Sequence, residues 1–325
     1  MTAVKTEAAD DLPKQVIYGR DAQRALGRPA AATGRPAEPE IRTPEWKRFE
    51  HGMTTCRAGG RTFVVGMGRG ERPFGSCRYG WFIQELLPDG SVGEVTQTGG
   101  IDRLYSTLCS YVANGRTYVF CHAADGNHWF IRELRENGTF GPQTHSGSFG
   151  SHYPVACAVK AGPGDYVFGT CGSGFWFLRH LHADGTLGRE AHTGTSSRDD
   201  RLATVCSAVV GGRTFLMGQA ANREFFVWEI TSDGRRSARP VYHGGKWRPY
   251  AAFSAFETPC GAYLIGQGEE KWFVAPIAAD GSIGGETDFG DWAGVYGYLA
   301  GLSASCRVEP PGPRGDGSRG REGPP

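Results

Sequence analysis

The amino-acid sequence predicts an all-β protein, a β-propeller built of four-stranded blades. The first observation is a segment that occurs five times, opening on an aromatic pair and closing on Asp-Gly or Asn-Gly. The closing glycines, spaced 48, 47, 49 and 47 residues apart, are Gly90, Gly138, Gly185, Gly234 and Gly281. A repeat of this length made of short strands is typical of propeller blades. The second observation is a composition of 50 glycines and 12% aromatic residues, which is typical of aromatic strands joined by tight turns.

Each repeat is expected to contain four strands, as the copy at residues 102–150 illustrates. The strands expected there span residues 104–112, 116–121, 129–134 and 139–144. Asn114-Gly115 is predicted to form a type I′ hairpin turn between the first two, because both residues tolerate positive φ. The third strand is apolar on both faces, which favours burial between two neighbouring blades. His145 is expected to begin the link to the next blade.

The first strand of the repeat occurs six times and carries a small residue at its centre. This column consists of Cys56, Cys109, Cys157, Cys206, Ser254 and Ser303, and we expect it to pack as small side chains near the axis. Residues 15–27 align without a gap to residues 129–141. We therefore predict six blades, with N-terminal strands completing the blade that the C-terminal strand begins, since closure removes exposed edges. Five blades with stray terminal strands are the alternative.

The bulk properties place the whole repeat in one domain. We expect a disordered N-terminus at residues 1–14, a single propeller at residues 15–308 and a disordered Pro/Gly/Arg tail at residues 309–325. Residues 29–44 are expected to form a surface linker. A net charge of +1 gives no reason to expect nucleic acid or a membrane as a partner. The polar N-terminus and the lack of a long apolar run predict a soluble, cytoplasmic protein.

The segment from Arg103 to Phe120 joins an Arg- and Ser-containing start, an inner strand, a turn and a Tyr-Val-Phe strand. In this respect it resembles the kelch repeat of β-propellers, and the resemblance extends over about residues 15–308. It implies a propeller with ligands on one face. It implies no particular activity, because such folds serve as scaffolds, lectins and enzymes.

The loops that enter the inner strands are expected to surround one axial mouth, and they are rich in side chains that bind ligands. Arginine offers paired donors to polar ligands, and aromatic rings offer stacking surfaces. The ligand-binding residues predicted there are Arg48, Arg103, Tyr105, Arg201, Trp247, Arg248, Tyr250, Trp292 and Tyr298. Pairing of Arg and Asp between blades is the structural alternative. The leading hypothesis is a protein that binds a small polar, glycan-like or peptide ligand at this mouth.

Differences among the copies at the mouth favour a second hypothesis, a biosynthetic enzyme with one asymmetric pocket. A cyclase, lyase or hydrolase would need acid–base groups, and the candidates are Asp102, His152, Tyr153 and Asp200. A protein-interaction scaffold is the third possibility, and it would present a broad apolar patch. No nucleotide-binding, hydrolase or calcium-loop motif is present, so no cofactor is predicted.

Two further columns are interpreted as structural. The tryptophans that open the third strands, Trp81, Trp129, Trp176 and Trp272, are expected to pack between blades. His145, His192 and His243 end the fourth strands, and equivalent positions around a ring lie too far apart to share a metal ion. Turn capping is the better explanation for them, and no metal site is predicted. The loop from His122 to His128 brings together two His and Asp125, which suits metal binding or acid–base chemistry but matches no established motif.

Overall fold

The computed structural model describes residues 15–20, 25–30, 41–43, 52–69, 77–87, 92–124, 126–197, 201–258, 261–268, 271–286, 288–291 and 299–301. These residues form strands and their connections, and no helix long and apolar enough to cross a membrane occurs among them. The tails expected at residues 1–14 and 309–325 lie outside the described residues. The predicted all-β propeller architecture is confirmed.

Five blades are each formed by one contiguous segment whose four antiparallel strands pair in chain order. With strands numbered along the chain, blade 1 consists of β4 (Gly52–Ala58), β5 (Arg61–Arg69), β6 (Tyr79–Leu86) and β7 (Val92–Ile101). Blade 2 consists of β8 (Tyr105–Ala113), β9 (Arg116–Ala123), β10 (His128–Leu134) and β11 (Phe140–Ser148). Blade 3 consists of β12 (Val155–Ala161), β13 (Gly164–Thr170), β14 (Phe175–Leu181) and β15 (Leu187–Thr195).

The last two contiguous blades repeat the same order. Blade 4 consists of β16 (Leu202–Val210), β17 (Arg213–Ala220), β18 (Glu224–Ile230) and β19 (Tyr242–Lys246). Blade 5 consists of β20 (Tyr250–Thr258), β21 (Gly261–Gly268), β22 (Lys271–Ile277) and β23 (Asp288–Asp291). The inner strands β4, β8, β12, β16 and β20 contact one another in ring order and surround the axis.

A sixth four-stranded sheet, the terminal sheet, joins the two ends of the chain. Its strands, in spatial order, are β24 (Leu299–Gly301), β1 (Gln15–Arg20), β2 (Ala25–Ala30) and β3 (Ile41–Thr43). β24 contacts both β20 and β4, so this sheet lies between blades 5 and 1. The backbone pairing therefore agrees with the predicted closure by strands from both ends.

The predicted assignment of strands within the terminal sheet was wrong. The alignment of residues 15–27 with residues 129–141 makes β1 a third strand, but β1 pairs directly with β24 and takes the second position. β2 and β3 then occupy part of the region expected to be a linker. The reason is that the second position must be filled by a strand hydrogen-bonded to the inner strand β24, and among the described strands β1 is the one that pairs with it.

Within blade 2, the predicted turn and most of the predicted strand positions are confirmed. Asn114 and Gly115 have φ values of 48° and 73°, as a type I′ turn requires. The fourth strand is longer than predicted, because β11 continues beyond His145 to Ser148. The register between β10 and β11 shifts between Ile131 and Arg132. Beyond this shift the pairing continues as far as His128, which lies opposite Ser148.

Three tryptophans of the predicted column, Trp81, Trp129 and Trp176, lie in the packing between blades, as predicted, and Trp272 packs within blade 5. Trp81, Trp129, Trp176 and Trp272 are all buried. Trp129 lies opposite Gly147 in the sheet, and a Cβ added at Gly147 would come within 2.7 Å of the indole ring. The glycine that follows each fourth-strand His or Gln in blades 1 to 3 therefore provides the space for a tryptophan.

The fourth-strand column ties each blade to the next one. Gln97 Oε1 accepts a hydrogen bond from the backbone N–H of Phe140 at 2.7 Å, and His145 Nδ1 accepts one from Leu187 at 2.7 Å. His192 Nδ1 accepts from the backbone N–H of Arg236 at 3.0 Å. Gln97 and His145 cap the start of the outer strand in the neighbouring blade, and His192 caps the segment after the Asp233-Gly234 turn, which confirms the capping interpretation for His145 and His192.

Candidate functional site

The inner strands enclose a cavity of about 410 Å³ along the axis. Its wall consists of hydroxyl, thiol and small aliphatic side chains, among them Thr54, Thr107, Cys109, Cys157 and Cys206. The predicted location near the axis is thereby confirmed for Cys109, Cys157, Cys206 and Ser254, while Cys56 packs in the core and Ser303 lies outside the described residues. Burial raises the pKa of Cys109 and of Cys206 to about 12, so these thiols stay protonated at neutral pH.

Several hydroxyl groups of the inner strands bind the neighbouring strand. Ser110 Oγ donates to the carbonyl of Thr55 at 2.7 Å, and Ser207 Oγ donates to that of Ala158 at 2.6 Å. Thr107 Oγ1 donates to the carbonyl of Pro154 at 3.1 Å. These hydrogen bonds join inner strands around the ring, so part of the polar wall is structural. No group of three metal-ligating side chains occurs among the described residues.

The loops that enter inner strands and the loops between second and third strands meet on one face, as predicted. Ala124 donates its backbone N–H to the carbonyl of Leu104 at 2.9 Å, within blade 2. The equivalent bond in blade 4 joins Ala221 to Arg201 at 2.9 Å. This face carries the axial mouth, and Pro154, at the entry to β12, lines the cavity directly.

His122 is the polar side chain at this mouth whose environment is most unusual. It ends β9 beside Thr107 of the cavity wall, and its side chain is 1% exposed. Its ring centroid lies 5.5 Å from that of Phe149 and 5.5 Å from that of His152, on which it stacks. Among the described residues, neither ring nitrogen has a hydrogen-bond partner of good geometry, and the ring interacts with the protein backbone only at Tyr153. Burial, reinforced by the nearby His152 and His128, lowers the pKa of His122 to about 4, so its imidazole is neutral at pH 7.

The equivalent residue in blade 4 is Gln219, and its polar atoms are satisfied by the protein itself. Both residues lie opposite the aromatic residue that opens the third strand, and both are buried. Gln219 Nε2 donates to the carbonyl of Arg248 at 2.8 Å, and Oε1 accepts from the backbone N–H of Tyr250 at 2.8 Å. In blade 4 this position anchors an entry loop through two hydrogen bonds of good geometry, whereas His122 interacts with its entry loop only through the backbone of Tyr153, without good hydrogen-bond geometry.

Two of the four predicted catalytic residues lie beside His122. His152 is exposed and stacks on its imidazole ring. Tyr153 is buried, with its ring 4.7 Å from that of Phe177, and burial raises the pKa of its hydroxyl. His152 is therefore accessible for chemistry, while Tyr153 is mainly a packing residue.

Asp102, Arg103 and Tyr105 form a second group, at the entry to blade 2. Asp102 and Arg103 are exposed, and the Asp102 carboxylate is hydrogen-bonded to the thiol of Cys77. Tyr105 is buried, and its hydroxyl lies 2.9 Å from His128 Nδ1. Burial and the positive charge of Arg103 lower the pKa of His128.

The predicted ligand-binding residues of blades 4 and 5 are largely engaged in packing. Trp247 stacks in parallel on Phe225 at 4.2 Å, and Tyr250 packs at 4.9 Å from Phe273. Burial raises the pKa of Tyr250 to about 12. Arg248 is exposed and Arg201 is half-buried. The remaining predicted site residues, which lie outside the described residues, are Arg48, Asp200, Trp292 and Tyr298.

The sequence drew attention to the loop between His122 and His128 without selecting either residue for the site. The available signal was the column opposite the third-strand aromatic, which reads Met67, His122, Thr170, Gln219 and Gln267. Only the copy in blade 2 has an imidazole at this position. A comparison of that column would have singled out His122.

No family model and no curated protein matches this sequence. Among solved structures, the chain is similar to a putative 6-phosphogluconolactonase from Bacteroides fragilis, with 11% identity, a TM-score of 0.54 and coverage of 91% of this chain and 100% of that chain. It is also similar to the periplasmic gluconolactonase of Pseudomonas aeruginosa, with 13% identity, a TM-score of 0.53 and coverage of 86% and 80%. A third is an exo-β-1,3-galactanase from Phanerochaete chrysosporium with β-1,3-galactotriose, at 10% identity, a TM-score of 0.52 and coverage of 87% and 70%. At these identities the likeness shows the propeller fold alone.

Proposed function

We propose that the protein binds a small, neutral, hydroxyl-rich ligand at the axial mouth, between blades 2 and 3. The observation that carries this proposal is His122, a buried imidazole with neither nitrogen well bonded. Buried polar groups in native proteins nearly always have a partner, and an unsatisfied one costs about 1–3 kcal/mol. A bound ligand supplies the missing partner.

The chemistry of the site favours a neutral ligand. With a pKa of about 4, the His122 ring has one N–H donor and one acceptor nitrogen at pH 7. A sugar hydroxyl group both donates and accepts, so it matches this pair. His152 covers His122 from the solvent side, and an exposed side chain of this kind changes rotamer within nanoseconds, which opens a route for the ligand.

In this proposal, four of the other predicted residues form the rim of the axial mouth. Asp102, Arg103, Arg201 and Arg248 supply hydrogen-bonding groups around the mouth, and their roles are part of the proposal. The kelch resemblance supports ligand binding on this face, and a glycan-like molecule suits the site better than a peptide, since the site is small and polar. The solved structures named above are a putative 6-phosphogluconolactonase, a gluconolactonase and a galactanase with a galactotriose, and they guide the choice of ligands to test.

Titration calorimetry with three neutral compounds, D-galactose, D-glucose and D-glucono-1,5-lactone, tests the proposal. We expect saturable binding of at least one of these compounds, and a loss of about tenfold or more in affinity in His122→Leu, because a buried hydrogen bond is removed. The matched control is His182→Ala, an exposed histidine in the turn after the third strand. Failure of all three compounds to bind, or equal affinity in His122→Leu, contradicts the proposal.

A second candidate function is hydrolysis of a sugar lactone at the same mouth. The observation that favours it is the contrast between two stacked imidazoles, one buried and neutral and the other exposed, since acid and base roles require different environments. In this reaction water adds to the lactone carbonyl, the ring C–O bond breaks, and a hydroxy acid forms. Acid release from D-glucono-1,5-lactone above the uncatalysed rate, abolished in His152→Ala, would support it. Binding without acid release leaves the first proposal as the function.

A further inference from the structure

The crevices between neighbouring blades share one construction, and the crevice between blades 1 and 2 contains a cavity. The crevice between blades 1 and 2 holds about 240 Å³, and the crevice between blades 2 and 3 is filled by its own side chains. The cavity is lined by Trp81, Ile101, Tyr105, Phe130, Arg132 and Gln143. It lies away from the axial cavity, and its wall is aromatic with a single charged group.

Arg132 and Arg179 are equivalent residues in these two crevices, but only Arg179 has a carboxylate. Each follows the aromatic pair of its third strand, and each lies opposite a fourth-strand residue, Gln143 for Arg132 and Glu190 for Arg179. Arg179 is 2.8 Å from the Glu190 carboxylate. Among the described residues Arg132 makes no ion pair, and its guanidinium lies 6.0 Å from the ring centroid of Phe130.

A second substitution between the crevices removes an aromatic ring. Phe149 lies two residues after Gly147, and Ile101 lies two residues after Gly99, so the two are equivalent. The ring of Phe149 packs 5.0 Å from Phe177 and 5.4 Å from the Arg179 guanidinium. Ile101 is smaller and leaves this space open. The crevice between blades 1 and 2 therefore lacks one ring and one carboxylate that its neighbour has.

We propose that the crevice between blades 1 and 2 binds a small aromatic carboxylate. The ligand ring takes the place that Phe149 has in the neighbouring crevice, against Ile101, Trp81 and Tyr105. The ligand carboxylate takes the place of the Glu190 carboxylate and pairs with Arg132, whose planar guanidinium binds carboxylates through two parallel hydrogen bonds. A volume of about 240 Å³ is below the range of roughly 300–1,000 Å³ of drug-sized sites, which limits the ligand to one ring with a short acid chain.

Gln143 and Tyr105 define the ends of this site. Gln143 is exposed, so the carboxylate end opens to solvent and the arginine is reached without unfolding. The Tyr105 hydroxyl lies 2.9 Å from His128 Nδ1 and its ring packs 4.7 Å from that of Phe130, so Tyr105 is a fixed part of the cavity wall. This cavity shares no described lining residue with the axial cavity, and His122 does not line it, so the proposal does not rest on the function proposed for the axial mouth.

The test uses phenylacetate and 3-phenylpropanoate, with phenylacetamide as the uncharged match, and measures affinity by ligand-observed NMR and calorimetry. We expect saturable binding of at least one acid, and about tenfold weaker binding of the amide, since a charge-assisted hydrogen bond is lost. Gln143→Glu places a competing carboxylate opposite Arg132 and should weaken acid binding about tenfold or more. Ile101→Phe fills the ring position and should abolish binding.

Arg179→Gln is the matched control for Arg132→Gln, because it removes the same group from the filled crevice. We expect only Arg132→Gln to lose the acid, and His122→Leu to leave acid binding unchanged. Gln143→Glu and Ile101→Phe introduce side chains that the neighbouring crevice already contains, so we expect both variants to fold. They therefore test the proposal even if Arg132→Gln fails to fold. Absence of acid binding, equal binding of the amide, or unchanged affinity in Gln143→Glu overturns the proposal.

Discussion

Blades 2 and 4 have equivalent buried polar residues at the mouth, His122 and Gln219, and these two residues differ in their hydrogen bonds. Gln219 of blade 4 binds the backbone of the entry loop that follows it, through Arg248 and Tyr250. His122 of blade 2 is as deeply buried, yet within the described part of the chain neither of its nitrogens has a hydrogen bond of good geometry, and its interaction with the Tyr153 backbone does not satisfy it. Because the two positions are equivalent, Gln219 shows the structural role that a hydrogen-bonded side chain has at this place in the blade. The blade in which this side chain lacks well-formed hydrogen bonds, blade 2, is where we place the candidate function.

The largest expected effect is the contribution of His122 to the pH dependence of the free energy of unfolding. Its pKa is about 4 in the folded state against 6.5 as the ordinary value, so the unfolded chain binds more protons between these pH values. Stability is therefore fully present above pH 6.5 and is lost as the pH falls toward 4, by about 3 kcal/mol for this group. Urea unfolding from pH 7 to pH 4.5 should show this loss in the wild type. His122→Gln should remove most of it, and an unchanged pH dependence in that variant contradicts the assigned environment.

The next effect concerns the satisfied copy. Gln219→Leu leaves the Tyr250 N–H and the Arg248 carbonyl without their partner, so we expect a loss of about 2 kcal/mol in the free energy of unfolding. His122→Leu removes a polar group that has no good partner, and we expect no loss or a small gain at pH 7. Urea unfolding at pH 7 measures both. A similar loss in the two variants would break the comparison.

A smaller effect is expected where the crevice between blades 1 and 2 is made like its neighbour. The double variant Ile101→Phe and Gln143→Glu fills a cavity and gives Arg132 a carboxylate, which should raise the free energy of unfolding by about 1 kcal/mol. The measurement is the midpoint of thermal unfolding. Lower stability in this variant would mean that the two crevices differ in backbone spacing, so that the added ring overpacks the site.

The smallest effect concerns the ion pair of the filled crevice. Arg179 and Glu190 are partly exposed, with side chains 28% and 41% accessible, so Glu190→Gln should cost only about 0.5 kcal/mol. The effect should shrink further in 1 M salt because of screening. A loss of several kcal/mol, insensitive to salt, would show that this pair behaves as a buried one. The half-buried Arg132 would then also be expected to gain more than about 0.5 kcal/mol from a carboxylate partner.

Much of the fold could be predicted from the chain because its determinants are local and repeated. The Asn114-Gly115 turn, the buried tryptophans and the small residues on the inner strands all follow from residue type and spacing. The terminal sheet was predicted only in outline, since the copy at residues 15–27 has no aromatic marker to set its position among the strands. Its order was decided by which segment pairs with β24.

The candidate site was harder to predict for a physical reason. Residue type placed Arg, Asp, Tyr and Trp near the mouth, but whether a ring faces a ligand or packs depends on the neighbouring blade. Trp247 and Tyr250 are ligand-binding candidates by sequence, and they pack against Phe225 and Phe273. His122 was less conspicuous in the sequence, because its burial and its lack of a partner are not properties of its own segment.

The sequence by itself determined the number of contiguous blades, their turns and the residues buried between them. These properties follow from hydrophobic periodicity and backbone preferences, which act over a few residues and recur in each copy. Only the tertiary structure decided which polar groups are satisfied and which crevice is filled. The partners of Gln219 lie about thirty residues away in the chain, and the carboxylate and ring that fill one crevice have no counterpart in the next. Hydrogen-bond satisfaction and packing volume depend on contacts between blades, and no single copy of the repeat contains that information.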